Sequence, residues 1–235
     1  MTSSRPKTPL PTKRQLRQES GFGCCNCGHP FIEYHHIIPW AEEQHFRAED
    51  MMTLCKNCHD LCTTQALTEN QQRALKSKPR NIQDNFVRGL LYANAKECIV
   101  KFGGGTAINT PRLLTIRGKN LLSVAINESD CRILVSAVVH DANGTPIGQI
   151  VDNEWEFEVD KVWDLTAKPK FASAQASQEH LGFEIDARRD EILLNGRWTH
   201  LGESVEFSPT AVLHNGNRMF GSFTSKNSRN FICIM

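Results

Sequence analysis

The chain has 235 residues and no apolar run approaching the length needed to span a bilayer, which excludes a membrane-spanning helix. Its opening stretch, MTSSRPKTPLPT, lacks the apolar core of a secretory signal, so the expected address is the cell interior, cytoplasmic and off the membrane. Charge of one sign is also missing. Lysine and arginine number 27 against 26 acidic residues, a formal net charge of +1, and the charges beyond Lys101 balance closely enough that composition marks no basic groove there. Gly103-Gly104-Gly105 has the glycines of a phosphate-cradling loop but neither the Lys-Ser/Thr nor the helix that should follow, and it reads as a linker or turn.

Cysteine, by contrast, is plentiful. Nine are present, and four fall in two Cys-x-x-Cys knuckles, Cys24/Cys27 and Cys55/Cys58. Such a knuckle turns the chain tightly enough for two sulfurs to face one ion, and two of them a few tens of residues apart form a tetrahedral thiolate site for a structural Zn²⁺. Disulfides would require an oxidising compartment, for which no signal is visible. Cys25 is an alternative to Cys24, but Cys25-x-Cys27 is short for a knuckle. Between the knuckles lie His35-His36-Ile37-Ile38-Pro39, and His59 directly follows Cys58.

This order, with Asp50 ahead of Leu54-Cys55-x-x-Cys58-His59, resembles the HNH endonuclease family in its zinc-ribbon form, over about residues 12–80. The resemblance implies a ββα-metal site: a hairpin carrying His35 and His36, a loop, and a helix that begins near Cys55 and presents His59 to the hairpin. Adjacent strand residues face opposite ways, so His35 and His36 have different jobs. By resemblance, His35 and His59 hold a catalytic Mg²⁺ or Mn²⁺, His36 is the general base, and DNA is hydrolysed to a 5′-phosphate and a 3′-hydroxyl. The chemistry is coherent, since a histidine titrates near neutrality and a cation offsets charge building on the phosphate.

Asp50 occupies the position where the family places an asparagine that ties the loop to the hairpin. It is assigned to the catalytic set with His36, although a carboxylate accepts hydrogen bonds and does not donate them. Thr63 stands where many relatives have a further histidine. His45, in a loop without the family's glycine pair, reads as an exposed histidine.

Four regions are expected: a basic N-terminal arm and helix over 1–20, the nuclease domain over 21–65, a helical connector over 66–98, and a β-rich domain over 99–235. The fold class is α+β, an HNH domain with a four-cysteine zinc site and helical brace followed by an all-β sandwich or short solenoid. The knuckle segment is acidic, so contact with phosphates falls to its flanks: Lys13, Arg14, Arg17, Arg73, Lys76 and Lys78. Thr68-Glu69-Asn70-Gln71 is a capping box that predicts a helix over 69–77, and a second helix is expected from Ile82 to Ala95 with Phe86, Leu90 and Tyr92 on one face.

Beyond Cys98, short branched and aromatic runs alternate with turn signals, including Asn195-Gly196 and Asn215-Gly216, which predict tight hairpins. Trp155, Trp163 and Trp198 read as core residues. His140, His180, His200 and His214 read as surface or hydrogen-bonded histidines. This half would recognise substrate, form a homo-oligomer or contact a partner protein. Two alternatives to the nuclease stay open: a non-catalytic zinc module that binds nucleic acid or protein, and a nuclease active only with a partner.

Overall fold

A computed structural model describes residues 6–220 and 222–235, so the first five residues of the basic arm, Arg5 among them, lie outside the described residues. The chain divides into two compact units, Met1–Val87 and Arg88–Met235. No helix among the described residues is long and apolar enough to cross a membrane.

The first unit is built from short elements. Helix α1, Leu10–Glu19, begins after Pro9 and carries Pro11 in its first turn, where a missing N–H costs nothing. It buries a single apolar side chain, Leu16, against Ala48 and Met51, with Tyr34 and Phe46 alongside. Strands β1, Glu33–His36, and β2, Met51–Leu54, pair antiparallel, setting His35 opposite Met52 and His36 opposite Met51. Every residue of β2 is buried. Helix α2, Lys56–Thr63, follows Cys55 directly and buries Cys58 and Cys62, four residues apart on one face.

Helix α3 runs Glu69–Ser77 behind the expected capping box. Thr68 accepts from the Gln71 backbone N–H, while the Gln71 side chain accepts from the Thr68 N–H at 2.9 Å.

The helix expected from Ile82 to Ala95 is not formed. Helix α4 is only Arg80–Asp84, Asn85 turns left-handed at φ 57°, and the chain continues as strand β3, Phe86–Leu90. Asn tolerates that conformation at a helix end, and the branched and aromatic residues after it suit a strand. Asn81 on α4 instead clamps the first knuckle, donating to the carbonyls of Gly21 and Gly28 at 3.0 Å each. A side chain at Gly23 would collide with that amide, its Cβ falling 2.3 Å from Asn81 Nδ2.

The second unit is all β, in two sheets. One is ordered β19-β6-β7-β8-β9-β10-β3. Its strands are β6 Arg112–Ile116, β7 Lys119–Asn127, β8 Arg132–His140, β9 Pro146–Val151, β10 Glu154–Glu158 and β19 Asn230–Ile234.

The other sheet is ordered β11-β12-β13-β14-β15-β16-β17. Its strands are β11 Asp164–Lys168, β12 Phe171–Gln175, β13 Leu181–Asp186, β14 Ile192–His200, β15 Glu203–Phe207, β16 Val212–His214 and β17 Asn217–Phe220. Strand β4, Ile99–Phe102, joins it beside β14, and carries β5, Gly105–Ile108, and β18, Phe223–Lys226. Most pairings are antiparallel meanders with alternating burial, as for sheets with one wet face. Trp198, Phe183, Phe207 and Phe157 are fully buried, and Trp155 joins this core while Trp163 is half-buried.

Two turn expectations part company here. Asn215 and Gly216, at φ 49° and 81°, form the β16–β17 hairpin. Asn195-Gly196 is no turn but lies inside β14, where Gly196 pairs with both Phe183 and Phe207. The glycine is needed there for close approach, since a Cβ would fall 2.7 Å from the Gly182 carbonyl oxygen and 2.9 Å from the Trp198 ring. Gly103 and Gly104 make the β4–β5 turn.

Candidate metal centre and nuclease site

The knuckles place their four sulfurs together. One ligand atom each from Cys24, Cys27, Cys55 and Cys58 lies within 4.8 Å of all the others, and the Cys27 and Cys55 sulfurs are 3.6 Å apart. Tetrahedral zinc with Zn–S near 2.3 Å separates its sulfurs by about 3.8 Å, so the cluster fits the ion. Cys25 is excluded from it. Its thiol turns to Thr53 Oγ1 at 3.7 Å, inside a core that also holds Ile37, Met52 and Leu54.

Burial pushes the Cys27 thiol up to about 11 and raises Cys58 as well. The same burial opposes ionisation of Cys55, but hydrogen bonds from Cys58, Cys27 and Cys24 together hold it below its usual value. Crowded thiols that resist ionising together are what a divalent cation relieves. Asn26 Nδ2 donates to the Cys58 sulfur at 3.4 Å, a second support for the ligand set.

The histidines sit on both faces of the hairpin. His35 and His59 meet edge to face with ring centroids 4.9 Å apart, and Glu33 Oε2 lies 3.9 Å from His59 Nδ1. Two imidazoles and a carboxylate thus lie near one another, but among the described residues it is the four cysteines that gather three or more ligand atoms within 4.8 Å of one another. His36 is buried among the rings of Trp40, His45 and Phe46, with centroids 5.0 to 6.0 Å away, and its Nε2 is 2.9 Å from the carbonyl oxygen of His45.

The HNH endonuclease family model matches residues 24–65. The match spans the knuckles, both hairpin histidines and His59, and leaves the rest of the chain outside it. No curated protein and no solved structure matches the chain.

Within the HNH segment, several side chains depart from their expected surroundings. His45 is not an exposed loop residue but 7% exposed, its Nε2 3.3 Å from the Ile38 carbonyl and its Nδ1 accepting from the Arg47 N–H. The Asp50 carboxylate bridges Arg47 Nε at 2.9 Å and Arg73 Nη2 at 3.0 Å, and these two guanidiniums hold it below the usual carboxylate range. The tie from loop to hairpin is made by backbone instead, the Ile37 N–H donating to the Asp50 carbonyl at 2.8 Å. Thr63 is exposed and its hydroxyl donates back to Asp60.

The expected phosphate-binding residues share their charge with partners. Arg73 pairs with Asp50 and Glu69, and Lys76 with Glu19 at 2.6 Å. Arg17 donates to the Tyr34 hydroxyl at 2.7 Å while the Lys13 ammonium sits 5.6 Å over the same ring. Arg14 is half-buried on α1 and Lys78 is exposed at the end of α3.

Sequence reasoning missed two residues. Gln72, 6% exposed on α3, reaches His35 Nε2 with its Oε1 at 3.0 Å, and Tyr34 organises the basic residues of α1. A polar residue at 72 one turn ahead of Leu75, on the buried face of α3, was the available signal.

In the β unit, His214 is paired with Glu203 at 2.8 Å, as expected of a hydrogen-bonded histidine. His140 and His180 differ from that expectation. Both are buried, His140 Nδ1 and His180 Nε2 have no hydrogen-bond partner among the described residues, and burial lowers both pKa values.

Proposed function

We propose that the N-terminal unit is a metal-dependent HNH endonuclease that hydrolyses DNA phosphodiester bonds, with His36 as general base, His35 and His59 as holders of Mg²⁺ or Mn²⁺, and structural Zn²⁺ on the four cysteines. The observation that carries the reading is the contact between His36 Nε2 and the His45 carbonyl. A carbonyl oxygen only accepts, so Nε2 keeps the proton and the basic lone pair resides on Nδ1. A neutral imidazole oriented in this way is the form a general base needs at neutral pH.

In the proposed reaction, Nδ1 of His36 takes a proton from water, the water oxygen bonds to phosphorus, and the bond from phosphorus to the 3′ oxygen breaks. The departing 3′ oxygen takes a proton from bulk water and His36 returns its proton to solvent, which leaves a 5′-phosphate and a 3′-hydroxyl. His35 and His59 would hold the cation, which when bound would supply charge neutralisation to the phosphate. Asp50 acts on the framework, fixing α3 to the loop through Arg73. Lys13, Arg14, Arg17 and Lys78 meet the phosphate backbone, joined by Arg73 and Lys76 where the polyanion competes with their present partners. The β unit serves recognition, self-association or a partner protein, and the protein works in the cytoplasm.

The rival is a non-catalytic zinc module, favoured by the ion pairs that already occupy Arg73 and Lys76. Cleavage of supercoiled plasmid separates the two. Wild type with Mg²⁺ or Mn²⁺ should nick or linearise the plasmid and EDTA should stop it, while His36→Ala should lose on the order of 10²–10⁴-fold in rate at unchanged zinc content. A wild type that holds zinc and never cuts gives the site to the rival, or to a nuclease that needs its partner.

A further inference from the structure

The Gln72 amide is held at both ends. Its Nε2 donates to the Leu67 carbonyl at 3.0 Å, and its Oε1 faces His35 Nε2 at 3.0 Å. The carbonyl of Leu67 accepts only, which decides the orientation of the amide, because the reversed amide would set two acceptor oxygens against each other. With Oε1 fixed toward the ring, His35 Nε2 must carry a proton, and in the neutral imidazole the remaining lone pair belongs to Nδ1. We infer that Gln72 is a positioning residue which locks His35 in its Nε2–H tautomer and so selects Nδ1 as the atom offered to the catalytic cation. The inference rests on the nuclease reading for the cation, but the tautomer itself does not.

The arrangement makes physical sense of α3. A histidine ligand needs its second nitrogen anchored, or the ring samples both tautomers and several orientations at a cost in metal affinity. Thr63, one turn beyond His59, is exposed and turned back on its own helix, so it does not brace the site. Gln72 approaches from the next helix instead. Its backbone is set by the capping box at Thr68, and Arg73 beside it is pinned to Asp50. The register of α3 is therefore fixed on either side of the residue that touches His35.

The test uses the full chain with zinc bound. Long-range ¹H–¹⁵N correlation of the imidazole rings reads the His35 tautomer, and calorimetric titration with Mn²⁺ reads affinity. Wild type should show His35 as Nε2–H. Gln72→Leu should mix the tautomers and weaken Mn²⁺ binding by about 10-fold or more. Gln72→Glu keeps an oxygen acceptor for Nε2–H, so it should retain the wild-type tautomer and bind Mn²⁺ more tightly than Gln72→Leu. Zinc content and far-ultraviolet dichroism establish that each variant is folded.

An Nδ1–H tautomer in wild type overturns the inference, as does a Gln72→Leu protein whose tautomer and Mn²⁺ affinity are unchanged. Wild type that binds no Mn²⁺ overturns the part that concerns the cation. A protein that binds Mn²⁺ in a Gln72-dependent way and cuts no DNA upholds the inference and defeats the nuclease reading instead.

Discussion

The two units of this chain hold themselves together by different means. The first buries little hydrocarbon: one cluster is made largely of cysteines around Ile37, Met52 and Leu54, and the other of Leu16, Ala48 and Met51. Its remaining cohesion is polar, in the Asn81 clamp, the Asp50 bridge between two arginines and the four-sulfur cluster. The second unit buries large aromatic and branched side chains across two sheets, including Trp198, Phe183, Phe207 and Phe157, and no metal cluster appears there among the described residues. A small segment rich in polar groups has little interior to spare, and a metal ion in the four-cysteine cluster would replace the missing core.

The largest effect is expected from removing the zinc proposed for the four-cysteine cluster. Chelation, or Cys55→Ser, should unfold the first unit and leave the second intact, since structural zinc contributes on the order of 10 kcal/mol to small metal-folded domains. Hydrogen exchange checks it: amides of β1, β2 and α2 should lose protection while those of β14 keep theirs. The sign with pH follows from the thiols. Because Cys27 is pushed up to about 11 without the ion, binding near neutrality displaces protons, and zinc affinity should rise as pH rises and fall as it drops.

The reciprocal change is Trp198→Ala, which empties the centre of the β core. It should cost that unit about 3–5 kcal/mol in denaturant unfolding while zinc per chain stays at the wild-type value. A fall in zinc content as well would contradict this expectation.

The smallest effect is expected at Asp50, where polar cohesion is tested one group at a time. Asp50→Asn should lower the stability of the first unit by about 1 kcal/mol, roughly 4–8 °C in Tm for a domain of this size. The Asp50 pKa is depressed by Arg47 and then Arg73, so its contribution is present above the unfolded value near 3.9 and fades as pH falls through the lower folded value. The gap between wild type and variant should therefore close in acid, which thermal melts across that range would show.

How much was legible in the sequence depended on how local each feature was. The zinc knuckles and the α3 capping box are written in spacing a few residues long, and both formed as read. The Ile82–Ala95 helix and the Asn195-Gly196 turn failed because a single residue has two uses. Asn85 ends a helix in the left-handed region, and Gly196 clears space for Gly182 and Trp198 across strands that only the fold brings together. The burial of His45 has no sequence period behind it, and the spacing that puts Gln72 on the buried face of α3 does not reveal its reach to His35. They surface only once the loop and α3 close over the hairpin.

The most direct test of the account is a comparison of His35→Ala and His36→Ala, each measured for Mn²⁺ binding and for plasmid cleavage beside wild type. The two neighbouring histidines are proposed to do different work. His36→Ala should bind Mn²⁺ as wild type does and fail to cut, and His35→Ala should lose Mn²⁺ binding and cleavage together, with zinc retained in both. A His36→Ala protein that cuts at the wild-type rate would contradict it, as would a His35→Ala protein that binds Mn²⁺ undiminished.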